Sequence, residues 1–128
     1  MKGAYIDTSC LVAIALGESG IGSVARKLAA FDALYSSSLL EAELSAVLHR
    51  ERVTPDARSL DRIVWVVPDR PLHVEIQRVL NAGYVRGTDC WHLATALYLA
   101  REPETLSFLT LDARQSDIAR KLGFLGYQ

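Results

Sequence analysis

Four acidic residues of the 128-residue chain lie just after apolar runs or early in apolar-patterned segments. Asp7 directly follows the run at residues 4–6, Asp112 follows residues 105–109, and Glu43 and Asp89 lie near the starts of two helical patterns. Carboxylates that converge in one crevice repel each other when ionised, and a hard divalent cation with oxygen ligands removes that repulsion. Because a bound divalent ion can activate a water molecule, the set points to metal-assisted hydrolysis.

Each acid also has a local structural interpretation. Asp7 could help to cap the next helix, Asp112 could cap a helix through Gln115, and Asp89 could be a first-turn acid. Asp89 fits its local interpretation least well, because its own helix offers no Lys or Arg within the next two turns. At 100° per residue it shares a helix face with Leu93, Ala96, Leu97 and Ala100.

Glu41 and Glu43 compete for one position in the acid set. Two helix positions that are two residues apart project about 200° from each other, so both side chains cannot face one site. Ser38 and Glu41 have the spacing of a capping box, which gives Glu41 a local partner. Glu43 is therefore the acid that we expect at the site.

The elements that would position these acids alternate between strands and helices. The pattern predicts strands at 4–6, 33–36, 63–67 and 105–109. It predicts helices at 10–16, 20–31, 38–52, 72–82, 88–101 and 113–122, with caps at Ser38 and Thr88 and stops at Gly83 and Gly123. This alternation is typical of an α/β fold with a parallel sheet covered on both faces, whose ligand crevice lies outside the carboxyl ends of the strands.

Composition limits the class of protein. We expect one domain over residues 1–128, since the chain can bury one core, and a soluble, cytoplasmic protein with no membrane association. Two cysteines, Cys10 and Cys90, do not form a disulfide framework, so reduced thiols are expected. With 14 basic and 15 acidic residues, the chain has no excess positive charge for one large nucleic-acid surface, so any such contact must be local.

The acidic segments together resemble the PIN-domain ribonucleases, especially the VapC-type toxins of toxin-antitoxin pairs. The resemblance runs over nearly the whole chain and depends on four segments in the family's order. These are YIDTS at residues 5–9, SSLLEAEL at 37–44, TDCWHLATAL at 88–97 and FLTLDARQSDIARKLGF at 108–124.

This resemblance implies a PIN-like α/β/α sandwich with a central, mostly parallel sheet of four to five strands. It implies a divalent-metal-dependent endoribonuclease that uses Mg²⁺ or Mn²⁺ and cuts RNA, and a homodimer that a cognate antitoxin blocks. Ser9 would support the catalytic acids, and Thr110, Arg86 and Arg114 are expected near the substrate phosphates. The metal-binding acids at the matching positions would be Asp7, Glu43, Asp89 and Asp112.

Other interpretations stay open at this point. The chain could be a PIN nuclease of RNA processing without an antitoxin, or a catalytically silent module for dimerisation or partner binding. Cys10, Cys90 and His92 lie near the acids and could hold zinc, but they lack paired C-x₂₋₄-C spacing. An aspartyl-phosphate hydrolase would be expected to carry a second Asp where this chain has Ser9.

One departure from the family pattern and two aromatic residues complete the expectations. Cys90 stands where the family often has Ala, which raises the question of redox sensitivity at the site. Trp65 and Trp91 lie inside apolar runs, so core packing is favoured over base stacking.

Overall fold

Four short strands form the centre of the molecule in a computed structural model that describes residues 2–16, 26–54 and 61–126. The strands are β1 (Gly3–Ile6), β2 (Ala33–Ser37), β3 (Ile63–Val66) and β4 (Leu106–Leu109). All neighbouring pairs are parallel, in the order β3-β2-β1-β4. The predicted parallel α/β sheet is therefore confirmed, at the lower of the two expected strand numbers.

Helices follow each of the four strands. Those bounded in the described ranges are α1 (Thr8–Leu16), α2 (Ser38–Arg50), α3 (His73–Ala82), α4 (Gly87–Leu99) and α5 (Ala113–Leu122), and a 3₁₀ turn at Pro103–Thr105 precedes β4. The helix predicted at 20–31 is helical at residues 26–29, and its first part lies outside the described residues. Each of the other predicted helices begins and ends within two residues of the observed helix.

Side chains of the sheet alternate between two buried cores, one on each face. Tyr5 of β1 packs with α3, α4 and α5, whereas its neighbours Ala4 and Ile6 pack with α1 and α2. This alternation follows from the two-residue period of a strand. Because both faces are covered, the expected α/β/α layering is confirmed, and each fully buried aliphatic side chain contributes roughly 1.5–3 kcal/mol of hydrophobic stabilisation.

The predicted helix ends are correct at two positions and wrong at two. Gly83 and Gly123 are the C-caps of α3 and α5, and Gly123 adopts the left-handed conformation that favours glycine, with φ of 103°. The N-cap of α2 is Ser37 rather than Ser38, and it makes no side-chain capping bond, so the capping box with Glu41 is not formed. Arg86, and not Thr88, is the N-cap of α4.

The end of the described chain adds one residue to the sheet edge. Leu125 forms a parallel bridge with Ser107, and its backbone carbonyl accepts from Phe108 N at 2.8 Å. This bridge holds residues 124–126 against β4 without forming a fifth strand.

No helix in the described ranges is both long enough and apolar enough to cross a membrane.

Candidate active site

The carboxyl ends of the neighbouring strands β1 and β4 bring Asp7 and Thr110 together. Ile6 and Leu109 are partners in the register of β1 and β4, and Asp7 and Thr110 are the next residues along each strand. The backbone continues this pairing by one bond, in which Asp7 N donates to Leu109 O at 3.2 Å. The site therefore begins where a parallel α/β sheet places its ligand crevice.

Asp7 is buried and held by two hydroxyl groups. Its Oδ1 accepts from Ser9 Oγ at 2.6 Å and from Ser9 N at 3.1 Å, and its Oδ2 accepts from Thr110 Oγ1 at 2.6 Å. Burial raises the pKa of Asp7, and the Ser9 and Thr110 hydroxyls and His92 act against this rise. Since a carboxylate oxygen has two lone pairs, Oδ2 keeps one for a further ligand.

Ser9 and Thr110 also fasten the loop that follows β4. Leu111 N donates to Ser9 Oγ at 2.9 Å, and Asp112 N donates to Thr110 Oγ1 at 3.0 Å. These bonds fix the path of the chain from Asp7 to Asp112. The supporting roles expected for Ser9 and Thr110 thus have a visible geometric basis.

Gln115 is a part of the site that the sequence did not reveal. Its side chain is fully buried, with Oε1 at 2.9 Å from Thr110 Oγ1 and Nε2 donating to Asp89 O at 3.3 Å. The single hydroxyl hydrogen of Thr110 is therefore shared between Asp7 and Gln115. Gln115 therefore connects α5 to the first turn of α4. The sequence pattern predicted a role only for its backbone N–H, which Asp112 caps.

Asp112 caps α5, as its local interpretation predicted. Its Oδ1 accepts from Gln115 N at 2.8 Å. The cap takes up one carboxylate oxygen and fixes the side-chain rotamer. The second oxygen makes no hydrogen bond within the described residues, so a cap and a metal ligand are compatible in one side chain.

Asp89 lies in the first turn of α4 and is only partly buried. Burial raises its pKa most, followed by the negative charges of Asp112 and Asp7. Within the described part of the chain, its carboxylate has no hydrogen-bond or ion-pair partner. The structure thus brings Asp7, Asp89 and Asp112 close enough to repel each other.

Glu43 reaches the same edge of the sheet from α2. Its Oε1 accepts from Thr8 Oγ1 at 3.0 Å and lies 3.4 Å from His92 Nε2. Glu41 is exposed on the other side of the helix. The choice of Glu43 over Glu41 therefore agrees with the geometry, although the capping box that suggested it is absent.

The acids do not form a complete metal cage by themselves. In the three described ranges, no group of three or more His, Cys, Asp or Glu side chains is arranged to hold a metal ion. The donor set still suits a hard divalent cation that keeps several of its waters, because Asp89, whose carboxylate has no hydrogen-bond or ion-pair partner among the described residues, lies close enough to Asp7 and Asp112 to be repelled by them.

The two expected phosphate contacts lie at the rim of the site. Arg114 Nε donates to Tyr84 O at 3.2 Å, so this exposed side chain fastens the loop before α4. Arg86 is exposed at the N-cap of α4, and its positive charge lowers the pKa of Asp89 slightly. Arg86 is therefore close enough to act on Asp89, whereas the Arg114 guanidinium contacts Tyr84, and the role of both toward substrate stays a prediction.

An apolar groove of about 340 Å³ lies between α3 and the start of α4, and Cys90 and Trp91 form part of its lining. Cys90 is buried, and burial raises the pKa of its thiol, which keeps it protonated at neutral pH and a poor metal ligand. Trp91 and Trp65 are partly buried against the two cores, as core packing predicts. Cys10 is fully buried in the core that lies against α1 and α2.

Comparison with known proteins gives one family. The profile of the PIN domain matches residues 4–121, which includes every acid described above. A comparison with curated protein sequences finds no match.

Proposed function

The chain belongs to the PIN domain family, and on this basis we propose that it is a divalent-metal-dependent endoribonuclease. PIN domains are generally nucleases that use divalent metal ions. We propose in addition that the substrate is RNA rather than DNA, that the metal ion is Mg²⁺ or Mn²⁺, and that the cleavage is internal.

One observation carries the proposal. The carboxylate of Asp89 has no partner among the described residues, yet it lies near Asp7 and Asp112, whose charges raise its pKa. An arrangement of this kind destabilises the metal-free protein, and a divalent cation removes the repulsion. A purely structural module would gain nothing from it, so the silent-module interpretation is disfavoured.

The acids have distinct parts in this proposal. Asp7, Asp89 and Asp112 would hold the ion, some of them through its bound waters, and Glu43 would complete the set from α2. When bound, a divalent ion would lower the pKa of a water molecule and neutralise charge on the phosphate. Ser9 and Thr110 keep the Asp7 carboxylate in one orientation, through two hydrogen bonds of 2.6 Å.

The substrate is proposed to be RNA whose phosphates contact Arg86 and Arg114 at the rim. Both side chains are exposed, and both lie on elements that carry an acid of the site. Guanidinium groups suit bidentate phosphate contacts. Thr110 would act on the substrate only indirectly, because its hydroxyl is occupied by Asp7 and Gln115.

We further propose that the protein is the toxin of a type II toxin-antitoxin pair and works as a homodimer with a cognate antitoxin. This rests on the resemblance of the four acidic segments to VapC-type toxins. A PIN nuclease of RNA processing with the same chemistry is the alternative. Growth arrest on expression of the wild-type protein, but not of an Asp89→Asn variant, would support the toxin.

The test of the nuclease is cleavage of total cellular RNA by three identically purified proteins: wild type, Asp89→Asn and Glu104→Gln. Glu104 is an exposed acid on the 3₁₀ turn that precedes β4, at the opposite end of the strands from the acids of the site, so it controls for loss of one charge. We expect discrete fragments from wild type and Glu104→Gln in Mn²⁺ or Mg²⁺. Excess chelator and Asp89→Asn should each abolish them. Cleavage that persists in Asp89→Asn would contradict the assignment.

A further inference from the structure

A buried histidine that the proposed metal site does not use connects Tyr5 to Glu43. His92 is 1% exposed and lies three residues after Asp89 on α4. Its Nδ1 lies 2.8 Å from Tyr5 OH, and its Nε2 lies 3.4 Å from Glu43 Oε1. A polar ring this deep in an apolar helix is costly unless both of its nitrogens are satisfied.

The neighbours of His92 select one tautomer. Burial raises the pKa of the fully buried Tyr5 phenol, so it remains protonated and can donate to Nδ1. With Nδ1 as the acceptor, the ring N–H lies on Nε2 and is directed to Glu43. The opposite tautomer would place the lone pair of Nε2 against the Glu43 carboxylate.

Thr8 completes the contacts around Glu43. Its Oγ1 donates to the same oxygen, Oε1, at 3.0 Å, and lies 3.4 Å from His92 Nε2. Two donors on one oxygen leave the other, Oε2, available to a ligand. The Nε2 distance of 3.4 Å is at the long end of the hydrogen-bond range, which is common in catalytic sites before substrate binds.

We propose that His92, oriented by Tyr5, is a positioning residue that aims the carboxylate of Glu43 into the metal site. The inference rests on the proposed function, because it assigns a role to a helper of one proposed ligand. His92 does not touch substrate or metal. It acts by holding one oxygen of Glu43, much as Ser9 and Thr110 hold Asp7.

The first test is the tautomer of His92 in the metal-free protein, measured by ¹⁵N NMR of the imidazole. We expect a protonated Nε2 and an unprotonated, hydrogen-bonded Nδ1, with a shift of the Nδ1 signal in Tyr5→Phe. A protonated Nδ1 in the wild-type protein would overturn the proposal without any reference to catalysis.

The second test is a double-mutant cycle on Mn²⁺ affinity, measured by calorimetry, and on kcat for RNA cleavage. His92→Leu should weaken Mn²⁺ binding and lower kcat by about tenfold to a hundredfold, and His92→Gln, which keeps a donor near the Nε2 position, should recover part of the loss. In a Glu43→Gln background, His92→Leu should have less than about a twofold further effect on Mn²⁺ affinity.

The outcomes separate this inference from the proposed function. If wild type binds Mn²⁺ and cuts RNA, and His92→Leu does so equally well, only the role of His92 is wrong. An equal loss in both backgrounds would show a general structural effect and would also overturn it. If wild type neither binds Mn²⁺ nor cuts RNA, the nuclease proposal fails, and the role of His92 in positioning a ligand fails with it.

Discussion

Replacing Asp89 by Asn is expected to raise the stability of the metal-free protein at neutral pH. Burial and the charges of Asp112 and Asp7 raise the pKa of Asp89, and the opposing charges of His92 and Arg86 do not offset this rise. An ionised Asp89 therefore lowers the free energy of unfolding at pH 7. The amide of Asn has nearly the same shape and carries no charge.

The size of the effect follows from opposing contributions. Asp89 is only partly buried, so solvent screens each of the two repulsions to about 0.5–1 kcal/mol. Loss of a first-turn carboxylate removes about 0.5 kcal/mol of favourable interaction with the helix N-terminus. The balance is a gain of about 1 kcal/mol, which corresponds to a rise of about 4 °C in Tm for a domain of this size.

The dependence on pH follows from the direction of the shift. Below the ordinary pKa of Asp, Asp89 is protonated in both the folded and unfolded states, and wild type and variant should be equally stable. As the pH rises through the raised pKa, the folded wild type must lose a proton that it binds more tightly than the unfolded chain does. The Tm difference should therefore open between acidic and neutral pH and then stay constant.

Circular dichroism melts in chelator, from about pH 4 to pH 8, measure this difference directly. Glu104→Gln should show no comparable gain, because Glu104 is exposed at the amino end of β4, at the opposite end of the strands from the other acids. Adding Mn²⁺ should reverse the order, since a ligand at about 100 times its Kd adds about 2.7 kcal/mol to wild type alone. A metal-free variant that melts several degrees below wild type at neutral pH would refute the reasoning, since it would mean that Asp89 has a stabilising partner.

Two further predictions concern the support of the site. Ser9→Ala should lower kcat about tenfold and the free energy of unfolding by about 1–2 kcal/mol, because Ser9 Oγ donates to Asp7 and accepts from Leu111 N. Steady-state kinetics and urea unfolding measure the two effects. Wild-type values of both kcat and the free energy of unfolding would contradict the role of Ser9. Gly83→Ala should lower the free energy of unfolding by about 1–3 kcal/mol in the same urea titration, because the new Cβ would lie 2.7 Å from Cδ1 of the buried Ile118. Gly87→Ala is the control, since a Cβ at Gly87 would have nothing within 4 Å. Equal stability of the two Ala variants would contradict this prediction, because it would show that Ile118 moves away from the new Cβ at no measurable cost.

The architecture was predictable because hydrophobic periodicity and strand length are local signals. Each of the four strands lies within one residue of its predicted ends, and the alternation with helices sufficed for a parallel sheet. The parallel register then places Asp7 and Thr110 side by side, since Ile6 pairs with Leu109. Two of the acid-bearing junctions therefore follow from the fold itself.

Helix starts were less predictable, because several residues compete for one cap. Ser36, Ser37 and Ser38 are adjacent, and tertiary packing assigns them different roles: Ser36 Oγ donates to Ile6 O at 2.7 Å, and Ser37 is the N-cap of α2. At α4, Arg86 takes the N-cap position without a side-chain bond. Spacing alone cannot decide such cases, because capping preferences are worth only about 1 kcal/mol.

The second layer of the site was not predictable from the sequence, because its contacts join residues far apart in the chain. Gln115 of α5 contacts Thr110 across a loop and the backbone of Asp89 in α4. His92 of α4 contacts Tyr5 of β1 and Glu43 of α2. A buried His in an apolar helix is often only a satisfied core residue, and nothing in its local pattern indicates Glu43.

The four acids differ in how tightly the protein holds them, and this difference suggests a division of work. Asp7, Asp112 and Glu43 each have at least one oxygen fixed by hydrogen bonds, from Ser9, Gln115 and Thr8 respectively. Each of the three keeps acceptor capacity on its other oxygen. Asp89 is held by none and is repelled by two, so it is the acid whose position depends most on a cation. Under the proposed function, the three fixed acids would set the place of the ion, and Asp89 would depend on the ion for its own position.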